Sequence, residues 1–184
     1  MSSIGEEALA QTQRLLGYYE GFPVEVQARE SSLKIVPAVE DGFSITVYNQ
    51  GGEAMISAER WHTHYDDPAQ IAWCALWLLT PYYRMVQEMK GGVLVATWIE
   101  RYGVEGWEAF DPVYFLNPEH ADSWIPLPGE TITRRFFQQA ILPPPKPYTE
   151  FAPGVVLDDD ELPPGSRIGV YVETVERAMG AELF

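Results

Sequence analysis

The chain has 184 residues, and 27 acidic side chains against 12 basic ones give it a formal net charge of -15. Nucleic-acid binding begins with lysines and arginines that neutralise phosphates, and the sequence has no basic cluster beyond Arg134 and Arg135. Nucleic acid and anionic membranes are therefore excluded as expected partners. A basic protein surface would instead be drawn to this chain at long range, although solubility is the simpler explanation for the charge.

Composition also indicates the compartment. Hydrophobic residues make up 46% of the chain, which is enough to form one core of ordinary size. Cys74 is the only cysteine, so no intramolecular disulfide is possible. The N-terminus lacks the pattern of a signal peptide, and the longest apolar run, over residues 71–79, is about half a bilayer span. We therefore expect a cytoplasmic protein without a membrane segment.

A helix is predicted first, over residues 4–18, because Ser3 and Glu6 form an S-x-x-E capping box ahead of apolar residues at helical spacing. The period then changes to two, which is typical of strands. Four strands are predicted, over residues 24–29, 33–39, 43–48 and 53–61. Their connections are too short for parallel crossovers, so neighbouring strands should be antiparallel.

The pair Asp67-Pro68 predicts the start of a second helix, since aspartate accepts unpaired N–H groups and proline suits the first helical position. This helix should end at Leu79. The pair Gly91-Gly92 then predicts a hairpin between strands over residues 83–89 and 93–102. A further strand is predicted over residues 106–115, a short helix or strand over 131–142, and a final strand over 167–175 that returns to the sheet.

Prolines are concentrated in residues 112–164, which hold 11 of the 15, and regular structure should thin out there. The predicted fold is α+β, with a largely antiparallel sheet of six to eight strands, two helices packed on one face and a proline-rich C-terminal wrap. A single domain is predicted over residues 1–184. Residues 1–111 would form the helix and antiparallel meander core, and residues 112–184 the wrap.

Two of the three histidines stand one residue apart, at His62 and His64. On a strand, alternation places both on one face together with Asp66. Two imidazoles at this spacing can converge on one metal ion, and Asp66 and His120 are the candidates for the remaining ligands. A metal held there would activate a bound water, so the stretch indicates a metal-dependent hydrolase.

The stretch from His62 to Asp67 resembles the H-x-H-x-D-H loop of the metallo-β-lactamase fold up to its last position, where Asp67 replaces a histidine. The resemblance covers six of the 184 residues, and only His120 is left for the later metal-binding histidines, so the activity is not carried over. A purely structural interpretation of this stretch requires no metal ion and no further ligand. Asp67 caps the next helix, and the histidines end a strand with their polar tips toward water.

Three classes of function remain. The first is a non-catalytic acidic protein that binds another protein, for instance an inhibitor or immunity-type protein that masks a basic toxin or nuclease. It is favoured by size, charge and the lack of a known catalytic motif, and it needs no cofactor. Its candidate contact residues are the carboxylates Asp66, Asp67, Asp158, Asp159, Asp160 and Glu161. The second class is the metal-dependent hydrolase, and the third is a small-ligand binder with an aromatic pocket.

Overall fold

The computed structural model describes residues 2–19, 21–110, 114–115, 131–142 and 162–175. Two helices and eleven strands lie within these ranges. In chain order they are α1 (Ile4–Gly17), β1 (Val24–Arg29), β2 (Ser32–Pro37), β3 (Ile45–Gln50), β4 (Glu53–Ala58), β5 (Trp61–His64), α2 (Pro68–Trp77), β6 (Tyr83–Lys90), β7 (Val93–Gly103), β8 (Gly106–Ala109), β9 (Tyr114–Phe115), β10 (Ile132–Gln138) and β11 (Gly169–Val175).

Both helices begin at the predicted caps. The Ser3 hydroxyl accepts the N–H of Glu6 at 3.2 Å, and the Glu6 carboxylate accepts the N–H of Ser3 at 2.9 Å. This reciprocal pair is the predicted capping box. At the second helix, the Asp67 carboxylate accepts the N–H of Ala69 at 2.9 Å. That helix ends at Trp77, two residues before the predicted end.

The first sheet contains five antiparallel strands in the order β1-β2-β3-β4-β5. The prediction of one strand over residues 53–61 was wrong, because a turn at Glu59 and Arg60 divides it into β4 and β5. Glu59 has a φ of 51°, a backbone conformation that favours glycine or asparagine. No residue of that kind marks the turn in the sequence. β5 folds back on β4, with His62 opposite Ser57.

One face of this sheet is covered by both helices, as predicted. α1 and α2 contact each other, and each contacts β3 and β4. The residues that alternate onto the covered face are buried, namely Leu33, Ile35, Ile45, Val47, Ala54, Ile56 and Ala58. The intervening residues of these strands are half-buried or exposed.

A second antiparallel sheet has the order β11-β10-β6-β7-β8, with the short β9 also paired to β7. The prediction of a single sheet of six to eight strands was therefore wrong, because the described strands divide between two sheets. Alternation identifies strands but does not say which strands pair. The segment over residues 131–142 contains a strand, β10, and the final strand pairs with β10, which confirms that it returns to a sheet.

The main hydrophobic core lies between the helices, the first sheet and one face of the second sheet. The second sheet contributes Met85, Ile99 and Phe137 to it. Gln139, just after β10, links the sheets further. Its amide oxygen accepts the N–H of Phe43 at 3.2 Å, and its amide nitrogen donates to the carbonyls of Phe43 and Leu78, each at 3.3 Å.

Most of the predicted proline-rich wrap, at residues 112–113, 116–130, 143–161 and 176–184, lies outside the described residues. The connection over residues 162–168 is described, and the indole N–H of Trp107 donates to the carbonyl of Pro164 at 3.2 Å. Neither helix in the described ranges is long and apolar enough to cross a membrane.

Candidate functional site

β5 carries the histidine pair on its exposed side. His62 and His64 are exposed, while Trp61 and Thr63, between and beside them, are buried. The predicted alternation is confirmed for these four residues. The two imidazole rings are 6.0 Å apart between centroids and nearly perpendicular. They form an accessible pair on one edge strand of the first sheet.

The pair does not by itself make a catalytic metal centre. Across the described ranges, no three His, Cys, Asp or Glu side chains are placed to hold one metal ion, whereas catalytic zinc takes three protein ligands. Cys74 is buried inside α2. His120 lies outside the described residues, so the set His62, His64, Asp66 and His120 stays a prediction.

Exposed carboxylates from distant parts of the sequence lie at one end of the first sheet. The N–H of Gly5 donates to the carbonyl of Gly52 at 3.0 Å, and a Cβ on Gly5 would lie 2.7 Å from the Glu53 carbonyl oxygen. The first turn of α1, with Glu6 and Glu7, therefore lies against the β3–β4 turn that Glu53 follows.

Two more connections reach the same end. β5 runs antiparallel to β4 with His64 opposite Met55, so Asp66 and Asp67 follow toward the end where β4 begins. The β1–β2 turn lies there too, because the N–H of Asn49, near the end of β3, donates to the carbonyl of Ser31 at 2.9 Å. That turn carries Glu30.

We call this surface the acidic end, and define it as Glu6, Glu7, Glu30, Glu53, Asp66 and Asp67. All six side chains are exposed, and Arg29 lies at the same end. The opposite end of the sheet carries the junction with the second sheet, where Gln139 bonds to Phe43. The acidic end is therefore remote from the junction.

Two of the predicted contact residues, Asp66 and Asp67, belong to the acidic end. Asp158, Asp159, Asp160 and Glu161 lie outside the described residues. The four glutamates of the acidic end were missed as contact residues, since Glu6 was identified only as part of the capping box and the other three are ordinary exposed glutamates in the sequence. Only the strand register and the position of α1 bring them together, and no local pattern encodes those.

Three arginines of the second sheet are engaged in ion pairs. Arg84 pairs with Glu100 at 2.7 Å, Arg134 with Glu88 at 2.9 Å and Arg101 with Glu108 at 2.8 Å. Within residues 2–110, Glu88 and Glu100 are the only buried carboxylates of those described, and the others are exposed. The excess negative charge of that part of the chain therefore lies on the surface.

A second cluster that the sequence does not indicate surrounds Arg84. Its guanidinium lies between the rings of Trp107 and Phe136, 4.2 and 4.4 Å from their centroids. It donates two bonds to the Glu100 carboxylate and one, at 3.0 Å, to the Tyr171 hydroxyl. Because the guanidinium is stacked, bonded and only 12% exposed, the arrangement favours a structural role.

Trp77 of α2, an aromatic residue of the kind expected to line a ligand pocket, packs against two other rings. Trp77 stacks on Tyr83 with 5.3 Å between centroids, and Phe110 meets both rings edge-on. Burial raises the pKa of the Tyr83 hydroxyl far above its ordinary value, and the negative charge of Cys74 would raise it further. Tyr83 therefore stays protonated and behaves as a core residue. The small-ligand pocket stays a prediction.

The candidate site therefore consists of the acidic end and the exposed histidine pair beside it. Both belong to the first sheet and its connections, and both are held by short turns and helix caps. Comparison of the chain with protein-family models, with curated proteins and with solved structures gives no match.

Proposed function

We propose that this chain is a non-catalytic protein that binds a basic protein surface through its acidic end, in the manner of an inhibitor or immunity-type protein that masks a basic toxin or nuclease. The supporting observation is that six exposed carboxylates lie at one end of the first sheet, contributed by the first turn of α1 and by three connections of the sheet. A scaffold that brings like charges together offers a complementary surface to a cationic partner.

Helix capping accounts for only part of this charge. Both helices begin at the acidic end, where the positive pole of each helix dipole stabilises carboxylates, and Glu6 and Asp67 are caps. The carboxylates of Glu7, Glu30 and Glu53 form no hydrogen bond or ion pair with another described residue. They are therefore available to a partner.

The expected consequence is electrostatic steering. Complementary charge raises the association rate by one to three orders of magnitude. This gain in rate falls steeply as the ionic strength rises. It also selects against acidic proteins, since like charges facing each other across an interface are costly. The mechanism requires no cofactor, no nucleic acid and no catalytic group, and it suits a partner in the cytoplasm.

The test is a pair of charge-matched variants. One replaces Glu7, Glu30 and Glu53 by glutamine and Asp66 by asparagine, leaving both caps intact. The control replaces Glu40, Glu59 and Glu105 by glutamine and Asp41 by asparagine, four exposed carboxylates outside the acidic end. Against purified basic nucleases, surface plasmon resonance should show an association rate about tenfold lower for the first variant and nearly unchanged for the control.

Equal losses in the two variants would show that only net charge matters, and the proposal would then be wrong. The same conclusion would follow if the wild-type chain bound none of the basic proteins at low salt. Binding that weakens little as salt is raised would also contradict steering, because surface charges are screened within about 8–10 Å at physiological salt.

A metal-dependent hydrolase using His62, His64, Asp66 and His120 is the second candidate. It is favoured by the exposed imidazole pair on β5, which two-point metal binding requires. Elemental analysis of the purified chain should find one zinc, iron or manganese per molecule if this candidate is right, and the double variant His62→Ala and His64→Ala should lose it. Less than a stoichiometric amount of these metals in the wild-type chain eliminates the candidate.

A further inference from the structure

β1 is the outermost strand of the first sheet among the described residues, and it is unusually open. Five of its six residues are exposed. Val24, Val26 and Ala28 lie on the face that the helices cover elsewhere, opposite buried positions of β2. Val26 is nevertheless 38% exposed. α1 and α2 thus cover β3 and β4, whereas on β1 only Val24 packs against the core, and Val26 and Ala28 stay exposed.

The unpaired backbone groups of β1 belong to these same three residues. The N–H of Ala38 donates to the carbonyl of Pro23 at 2.8 Å, and hydrogen-bonded and non-bonded pairs alternate along an antiparallel ladder. Val24, Val26 and Ala28 therefore direct their N–H and C=O groups away from β2. The N–H of Val24 donates to the carbonyl of Phe22 at 2.7 Å. The outward groups that remain are the N–H groups of Val26 and Ala28 and the carbonyls of all three residues.

The other edge strand of this sheet, β5, is less accessible to a further strand. β5 has only four residues, and Trp61 and Thr63 are buried against the core. Proteins usually protect long edge strands with prolines, bulges or charges, because an open edge is a template for a further strand. β1 carries Glu25 and Arg29 on its other face but has no proline or bulge within its six residues.

We propose that β1 is the docking strand for an extended, basic segment of the partner, which joins the first sheet by β-strand addition. This inference rests on the proposed function and identifies how the partner binds. A segment that alternates apolar and cationic residues places its apolar side chains beside Val24 and Val26. Its cations then face Glu25 and approach Glu30, at the tip of the β1–β2 turn, while Arg29 on the same face limits where they can lie.

Charge also distinguishes this occupant from a second copy of the chain. Pairing β1 with β1 would bring together two molecules that each carry a net charge of -15, and would place the two Glu30 turns near a shared interface. Long-range repulsion opposes that association. A cationic strand removes the repulsion and uses the same backbone groups.

The probe is a fluorescent seven-residue peptide that alternates lysine and valine. The controls are a glutamate–valine peptide and a copy of the lysine–valine peptide that is N-methylated on alternate amides.

Val26→Pro removes an outward N–H without breaking a bond to β2, a change that edge strands tolerate. Val26→Thr keeps both the N–H and the strand preference. We expect Val26→Pro to weaken lysine–valine binding about tenfold or more, and Val26→Thr to change it little.

Amide hydrogen exchange of the wild-type chain needs no variant. Bound peptide should slow exchange at Val26 and Ala28, whereas Gln27, already bonded to β2, should change little. Unchanged exchange at Val26 and Ala28, or equal binding of the N-methylated peptide, overturns the proposal. A dimer that Val26→Pro dissociates would also overturn it and assign β1 to self-association.

The two proposals can fail separately. If basic proteins bind the wild-type chain in a salt-sensitive way but the lysine–valine peptide does not protect β1, the docking strand is wrong and the acidic end stands. If neither basic proteins nor the peptide bind, both proposals fail.

Discussion

Replacing Arg84 by methionine is expected to lower the free energy of unfolding by about 3–5 kcal/mol, the usual cost of removing one partner of a buried ion pair. Glu100, whose side chain is only 12% exposed beside Arg84, would lose its cation and keep just the indole N–H of Trp98 at 3.1 Å. The methionine cannot replace the guanidinium between Trp107 and Phe136. Urea unfolding followed by tryptophan fluorescence and by circular dichroism measures the loss.

The matched control is the double variant Arg84→Met and Glu100→Leu. Replacing both partners of a buried pair with apolar residues of similar size is often neutral or stabilising, so the double variant should recover most of the stability lost in the single one. Arg84→Lys keeps the charge but loses the planar fork and the stacking. Its stability should lie between those of the wild-type chain and Arg84→Met. A single variant as stable as the wild-type chain would show that water replaces the guanidinium at no cost.

Local signals in the sequence predicted much of the fold. The two caps, the hairpin around Gly91 and Gly92, and the alternation of buried residues each depend on a few neighbouring residues, and each is present in the structure. A proline within a predicted strand, such as Pro37, usually marks an edge strand or a bulge. β2 is internal, but Pro37 is its last residue, opposite Val24 in a non-bonded pair, so its missing N–H breaks no ladder bond to β1.

Non-local features could not be predicted in the same way. The division of the strands between two sheets depends on which strands pair, and the acidic end depends on register and on where α1 lies. Asp66 and Asp67 were selected for their charge, and the structure places Glu30 and Glu53 at the same end of the sheet. Neither glutamate differs in sequence from an ordinary surface glutamate, and each is recognised only through the folded sheet.

Gln139→Leu is expected to lower the free energy of unfolding by about 2–4 kcal/mol, because the variant leaves buried backbone groups without partners. The Gln139 side chain is 1% exposed and satisfies the N–H and carbonyl of Phe43 and the carbonyl of Leu78. Leucine fills a similar volume but offers no donor or acceptor. Gln70→Leu, at an exposed position of α2, is the control and should change stability by less than about 0.5 kcal/mol.

Amide exchange at Phe43 makes this prediction specific to the junction. The Phe43 N–H should be protected in the wild-type chain and exchange faster in Gln139→Leu, while amides near Glu53 keep their protection. Unchanged protection at Phe43 with unchanged stability would contradict the role assigned to Gln139. Because Gln139 lies at the opposite end of the first sheet from the acidic end, the variant should lose stability and keep its affinity for basic proteins under conditions where it remains folded. A loss of stability without a loss of affinity is expected if the junction holds the two sheets together and the acidic end binds the partner.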